Sequence, residues 1–436
     1  MKKKYRIILY TSIFLLCVVA SIILVVKKSN SVYEEESKPK VVKHKSMLSM
    51  NLEQTAGAGD YKTVTRSSWP TEGYKFNAEL SRCENGSTLS WDDTKKAVIM
   101  QGNVSDKCYV YFDIWIPSIA DYCTSGTDLA TCVKNFGDQG PSVSNIYIHN
   151  SSLTNGAGDN SYRYAGANPN NFVCFGSDTS PCPTDNLYRI IGVFGENYHG
   201  VTGKQLVKLI KYDYMTTDEL GTDGDYSQTY KEWGMDSTYK GTYGDGERIG
   251  VYFWNNDAGT NTWSTSLLNK TNLNTNFINN IGTTWANKIA TVTWKVGGNT
   301  SANISDVVPA TTYQNEIVNP VTTNTTDNAT TYSAKIGLMY VSDYGFAASP
   351  DAWTLTMSSY NNTTATNNNW MYMGLYEWTI SRYADSSYYA FGVSGAGRVG
   401  GNDVSYGSGV RASFSLESSV SYVSGSGSMS DPIVIN

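Results

Sequence analysis

The chain has 436 residues, enough for two or three domains at roughly 150 residues each. Ten Lys/Arg and three Glu lie between Met1 and Met47; subtracted from totals of 33 and 39, they leave a body with 23 basic and 36 acidic residues, a net charge of −13 against −6 for the whole chain. So acidic a body excludes nucleic acid as a partner, and three scattered histidines (His44, His149, His199) exclude His-based zinc or iron chemistry.

In chain order, Lys2, Lys3, Lys4 and Arg6 precede an uncharged, mostly apolar run from Ile7 to Val26, closed by Lys27 and Lys28. At 1.5 Å per residue this run spans roughly 30 Å, the thickness of a bilayer core. The reading is a cytoplasmic tail and signal anchor over 1–28, with the membrane contacted through residues 7–26. The basic excess before the span places the body outside the cell. A cleaved signal peptide ending near Val18-Val19-Ala20 is the alternative, although Ile22 to Val26 continues the apolar run beyond it. Cys17 follows Leu16, which is not the small residue a lipidation site needs. Six further cysteines in an exported chain suggest disulfides, and 15 pairings are open to them. Their local grouping favours Cys83–Cys108, Cys123–Cys132 and Cys174–Cys182.

Residues 29–60 read as a charged linker, with Glu34 to Glu36 and then Lys38, Lys40, Lys43 and Lys45. Residues 61–114 read as a small, β-sandwich-like domain suited to a spacer. Its strand candidates are Tyr74–Phe76, Ser87–Trp91, Lys96–Met100 and Cys108–Phe112, punctuated by Asn85-Gly86 and Gly102-Asn103. Residues 115–144 read as a connector with a short helix over Leu129–Phe136. Residues 145–436 then form one large domain of short strands and Gly/Asn/Thr loops, placing the chain in the α+β class. Strands are expected at Leu187–Phe194, Leu206–Tyr212, Ile336–Val341, Trp378–Ser381 and Val410–Leu416. Helices are expected at Trp263–Ile278 and Trp285–Ile289, and loops at Pro320–Thr331 and Ser358–Asn369.

The block Gly374-Leu375-Tyr376-Glu377-Trp378-Thr379-Ile380-Ser381-Arg382, a Gly-rich stretch, and then Gly409-Val410-Arg411-Ala412-Ser413-Phe414 resembles the C-terminal part of the C-type-lectin-like fold of formylglycine-generating-enzyme-related proteins. Those carry Gly-x-x-x-Glu-Trp-Thr and a closing Gly-Phe-Arg strand; here Gly374 sits one residue closer to Glu377, and Val410 replaces the Phe. With Tyr162–Phe175, Leu187–Phe194 and Lys335–Ser349, the chain also resembles exported proteins of Gram-positive gut bacteria. In those, a lectin-like domain of unknown function follows a small β domain and an anchor. The resemblance implies a C-type-lectin-like domain from about Tyr162 onward.

Read without the family, Trp378 places a large ring on the core face between Tyr376 and Ile380. Glu377 then needs a cationic partner, for which Arg382 or Arg411 is available. These four residues are expected to be structural. The cysteine oxidation of sulfatase-modifying members is not implied, because no cysteine follows Cys182. No Gly-x-Ser-x-Gly or HExxH motif occurs, so no catalytic residue, metal ligand or resident cofactor is assigned. Asp213, Asp218, Glu219, Asp223 and Asp225 are dense enough to invite calcium, but their spacing does not fit an EF-hand, and a solvated acidic loop is the preferred reading.

Between Tyr383 and Gly409, 22 of 27 residues are Tyr, Ala, Asp, Ser, Gly or Asn, an alphabet close to that of antibody binding loops. Lectin-like proteins diversified by retroelements vary between this Trp strand and the closing strand, an analogy that points to the same place. The expected function is therefore a membrane-anchored surface protein that binds an extracellular glycan or protein without covalent chemistry. Its expected contacts are Tyr383, Tyr388, Tyr389, Arg398, Asn402, Asp403 and Tyr406, with Trp370 and Tyr372 behind them. An envelope enzyme using Glu377 with a loop Asp is the alternative, and a passive structural surface protein is a third reading. The anchor reading sets an outcome: protease added to intact cells should remove the chain beyond about Lys28, and a protected body would refute the orientation.

Overall fold

The computed structural model describes residues 48–436 apart from 104, 196–198, 200–202 and 321–329. The anchor over 7–26, the linker up to 47 and most of the Pro320–Thr331 loop lie outside the described residues. Among the described residues no helix is long and apolar enough to cross a membrane. The chain divides into two compact units, Met1–Ile116 and Pro117–Asn436, and it carries helices and many small sheets, an α+β protein.

Among the described residues the first unit holds six strands: β1 (Leu48–Glu53), β2 (Tyr61–Val64), β3 (Tyr74–Cys83), β4 (Thr88–Asp92), β5 (Ala97–Gln101) and β6 (Cys108–Ile114). One sheet runs β2-β1-β6-β3, with β1 parallel to β6, and β4 and β5 form a separate hairpin. The Trp91 ring of that hairpin lies 5.7 Å from Phe112, over a small core of Met50, Leu52, Val98, Val110 and Phe112. Cys83 and Cys108 face each other in the β3–β6 register and are bonded. The expected 29–60 linker is corrected from Leu48 onward. Met50 and Leu52 alternate toward the core, and β1 fills the centre of the sheet.

In the second unit β7 (Ile146–Ile148), β8 (Tyr162–Tyr164), β9 (Phe172–Cys174), β10 (Leu187–Gly195) and β11 (Gln205–Lys211) come first. β12 (Tyr226–Thr229), β13 (Gly250–Phe253), β14 (Val292–Lys295), β15 (Thr331–Ala334) and β16 (Ile336–Gly337) follow. β17 (Glu377–Arg382), β18 (Tyr389–Val393), β19 (Val399–Asp403), β20 (Gly407–Ser408), β21 (Ser413–Ser415), β22 (Tyr422–Ser424) and β23 (Val434–Ile435) complete the set. The main sheet runs β16-β21-β11-β10-β8-β7, with β9 also on β10; β17-β18-β19 form a separate three-stranded sheet. β10 is buried on both faces because its sequence is apolar almost without interruption.

The expected connector 115–144 is part of this unit from Pro117 onward, and its helix packs into the core. Asp128 caps the helix Leu129–Gly137 by accepting from the Thr131 N–H, and the spacing of Leu129, Cys132, Val133 and Phe136 gives it one buried face. Cys123 bonds Cys132 at the edge of this helix, and Cys174 bonds Cys182. The expected strand Ile336–Val341 stops at Gly337, because Asp343 accepts from the Tyr340 N–H and starts a helix over Val341–Ala347. The expected strand Val410–Leu416 keeps ladder pairing only over β21. Expected helix Trp263–Ile278 is realised as a π-helix over Leu268–Phe277 and a short continuation, and Trp285–Ile289 as Gly282–Ala286. The expected loop Ser358–Asn369 contains a short helix over Thr363–Asn367 and buries Tyr360 and Asn369.

The interior carries charge. Lys208, buried mid-strand in β11, bonds Asp343 at 2.5 Å, and Arg163 of β8 bonds Asp159 at 2.8 Å. Glu316 is fully buried and accepts from the Val341 and Ser342 N–H groups, each at 3.0 Å, and from the Ser381 hydroxyl. Burial outweighs these donors and pushes the Glu316 carboxyl up from 4.5 to about 7, while burial pushes His199 down from 6.5 to about 4.

A raised acid is protonated in the folded chain after the unfolded chain has lost its proton, so Glu316 makes stability fall as pH climbs from 4.5 to about 7. His199 acts in the opposite sense, its contribution being lost as pH falls from 6.5 to about 4. The Glu316→Gln variant should therefore lose a stability decrease of about 3 kcal/mol between pH 5 and pH 8. Urea midpoints of the two proteins across this range measure the difference, and parallel profiles would refute it.

Candidate functional site

The β17 strand begins at the ion pair that the sequence left open between two arginines. Arg411 is the partner of Glu377: its Nε donates to Oε1 at 2.8 Å and its Nη2 to Oε2 at 2.9 Å, all of it buried. Burial pushes the Glu377 carboxyl above its ordinary value, and the Arg411 charge opposes that. Nη2 of Arg411 also donates to the Met371 carbonyl at 2.7 Å, which fixes the segment Trp370–Met373. Arg382 points elsewhere, donating to the Val296 carbonyl at 2.9 Å and the Tyr383 carbonyl at 3.3 Å. Trp378 is buried and its indole N–H donates to the Tyr252 carbonyl. Glu377 and Thr379 are as buried as Trp378, so β17 has no solvent face.

The segment held by Arg411 walls a groove of about 540 Å³. Phe172, Tyr212, Trp370 and Tyr372 give it aromatic surface; Asn168, Asn170, Asn367 and Asn369 give amides, and Ser428 and Ser430 give hydroxyls. Trp370 is fixed by its indole N–H on the Tyr164 carbonyl and its backbone N–H on the Gly166 carbonyl. Tyr372 is fixed by its hydroxyl on the Gly395 carbonyl at 2.6 Å. Gly374 has φ +88° and lies against the Thr238 carbonyl, where any side chain would clash. This close approach lets the Lys240 N–H donate to the Met373 carbonyl, and Lys240 Nζ stands 4.3 Å from the centroid of the Tyr372 ring.

Arg189 of β10 lines the same groove and is buried. Its guanidinium is sandwiched between the Phe172 ring at 4.4 Å and the Trp370 ring at 4.6 Å. It donates to Asn171 Oδ1 at 2.7 Å, to the Pro169 carbonyl at 2.9 Å and to the Trp370 carbonyl at 3.3 Å. Burial, and then the neighbouring Arg411 charge, push its pKa down to about 9, which leaves it charged at neutral pH.

The nine expected contacts fall in two places. Trp370 and Tyr372 wall the groove, and Arg398 is exposed on the β18–β19 turn, next to the Gly395 stretch that Tyr372 touches. The other six gather where Tyr389 faces Asp403, four ladder steps or roughly 13 Å from the Val393–Val399 end. There Tyr383 stacks near Phe391 at 4.3 Å and Tyr389 at 5.4 Å, while Tyr388 and Tyr406 are 49% and 64% exposed. Asp403 accepts from the Ser405 N–H and hydroxyl, and Asn402 faces Ala390 across the ladder. Trp370 is core and groove wall at once.

The five acidic residues considered for calcium do not converge. Asp213 accepts from the Tyr239 hydroxyl and Thr242, Glu219 pairs with Lys211, Asp223 accepts from Asn276, and Asp225 accepts from the Asn256 and Leu268 N–H groups. The solvated-loop reading is also corrected, since Asp213 and Asp225 are buried. Among the described residues the one group with closely spaced ligand atoms is Cys83, Asp106 and Cys108, whose sulfurs are bonded to each other.

Arg189, Lys240, Tyr212 and the asparagines were not singled out by the sequence. The one available signal was Arg189 itself, a cation inside the apolar run Leu187–Phe194. Removing Arg411 should cost more than removing the whole pair. Arg411→Met strands the buried Glu377 and is expected to lose about 3–5 kcal/mol, whereas Arg411→Met with Glu377→Leu should recover much of it. Denaturant unfolding of both variants measures this, and equal losses would refute the pairing energetics. No family model matches the chain, and neither a curated protein nor a solved structure matches it.

Proposed function

We propose that the chain is a membrane-anchored surface protein whose second unit is a lectin-like domain that binds an extracellular glycan, without covalent chemistry. The observation that carries this is the groove: about 540 Å³, concave, with aromatic faces and amides side by side. A pyranose ring offers an apolar C–H face to Trp370 or Tyr372 and hydroxyls to Asn168, Asn170 and Asn367, which are exposed. A groove of about 540 Å³ suits a sugar chain better than the broad surface of a protein partner. Three disulfides support an oxidising, extracellular setting. Occupation of both Glu377 oxygens by Arg411 favours binding over catalysis by that carboxylate. A second reading, binding at the far end of β18–β19, is favoured by the exposure of Tyr388 and Tyr406.

Glycan arrays probed with the full chain, followed by variants at exposed positions, separate the readings. Asn168→Ala, Asn170→Ala and Asn367→Ala should each weaken glycan binding about fivefold to tenfold with little change in melting temperature. Loss of binding in Tyr388→Ala with Tyr406→Ala, and not in the asparagine variants, would move the site to the far end. Recovery of a cleaved glycan by mass spectrometry would replace binding with catalysis.

A further inference from the structure

The groove sits in an acidic body, yet none of the described residues that line it is acidic. Its lining includes two cations, Arg189 and Lys240, and neither Asp nor Glu. Among the described residues two buried cations of this unit meet no carboxylate, Arg189 and Arg382, and of these only Arg189 lines the groove. The other four each meet one: Arg163 with Asp159, Lys208 with Asp343, Lys211 with Glu219, and Arg411 with Glu377. Arg189 meets only neutral oxygens, those of Asn171, Pro169 and Trp370. A guanidinium has five N–H donors, and these three bonds leave two for a ligand.

The flanking Phe172 and Trp370 rings compensate part of the burial, but a ring face does not neutralise a charge. Lys240 approaches from the exposed rim, over the Tyr372 ring, and its Nζ makes one hydrogen bond of 3.3 Å, to the Thr366 carbonyl. A compact anion between a fixed planar donor and the ammonium at the rim would satisfy both, while the adjoining aromatic faces and amides hold the rest of the ligand.

We infer that the groove selects an acidic saccharide, one whose sugar carboxylate is received between Arg189 and Lys240. This inference rests on the glycan-binding reading of the same groove. The carboxylate gives the buried cation the counter-ion that the chain itself does not provide. A sulfate ester on a sugar offers similar chemistry, and the test has an arm for it.

The test titrates the full chain with matched pairs: oligosaccharides containing uronic or sialic acid, the methyl esters of each, and sulfated oligosaccharides of similar length. The acid member should bind at least tenfold more tightly than its ester. Lys240→Gln, at an exposed side chain, should abolish that preference by weakening the acid far more than the ester, with melting temperature as the control for folding. Arg189→Lys, which keeps the charge but loses the planar fork, should reduce the preference; Arg189→Gln should remove it, with melting temperature as the control for folding. Equal affinity for acid and ester, or a preference that survives in Lys240→Gln and Arg189→Lys, would overturn the inference while leaving glycan binding in place. A preference for the sulfated members over the carboxylated ones would overturn the carboxylate assignment. Absence of binding by every saccharide would overturn the glycan reading and this inference together.

Discussion

The bidentate contact between Glu377 and Arg411 is the constraint on which the groove side of the second unit depends. Both charges are out of water, and each is tolerable there only because the other satisfies it. The same guanidinium also grips the Met371 carbonyl, so one side chain ties the start of β17, the Val410–Ala412 segment and the groove wall together. Trp370 and Tyr372, immediately on either side of Met371, inherit their positions from that grip. Gly374 completes the arrangement by letting the Thr238–Lys240 stretch lie directly on the wall.

Charge pairs also supply what apolar patterning cannot. A strand such as β10, apolar on both faces, has no alternation to fix its register. Its neighbour β11 carries Lys208 and Lys211, and each finds its acid only if the strand sits in one position. A slip of one residue would turn Lys208 to the opposite face from Asp343. Asp343 in turn caps the helix that follows β16, so sheet register and helix start are set by one carboxylate.

Some of this was legible in the sequence and some was not, for physical reasons. Leu187–Phe194 and Leu206–Tyr212 could be read because long apolar runs bury the same way in most contexts. The β4–β5 hairpin could be read because alternation and turn residues agree, and the disulfides because the cysteines cluster locally. β1 was hidden by the lysine-rich stretch before it, and its place depends on pairing with a strand more than fifty residues away, as in Asn51 with Tyr111. The helix at Val341 was hidden because its capping acid sits inside an apolar run. The expected contacts do not form one surface: Trp370 and Tyr372 stand at the groove, but six of their expected companions lie at the other end of a hairpin whose length the composition of Tyr383–Gly409 does not encode. Arg189, Lys240 and the asparagines come from separate stretches, and only the folded chain brings them to one groove.

That assembly has a consequence for how the unit opens. The groove draws on Ala167 to Phe172, β10, the end of β11, Lys240, Asn367 to Met373, and Ser428 to Ser430, stretches that span nearly the whole unit. Partial opening of any one of them dismantles the cavity, so a bound ligand opposes every such opening at once. An occupant of the cavity would then work as a clasp across the unit and slow its cleavage by proteases.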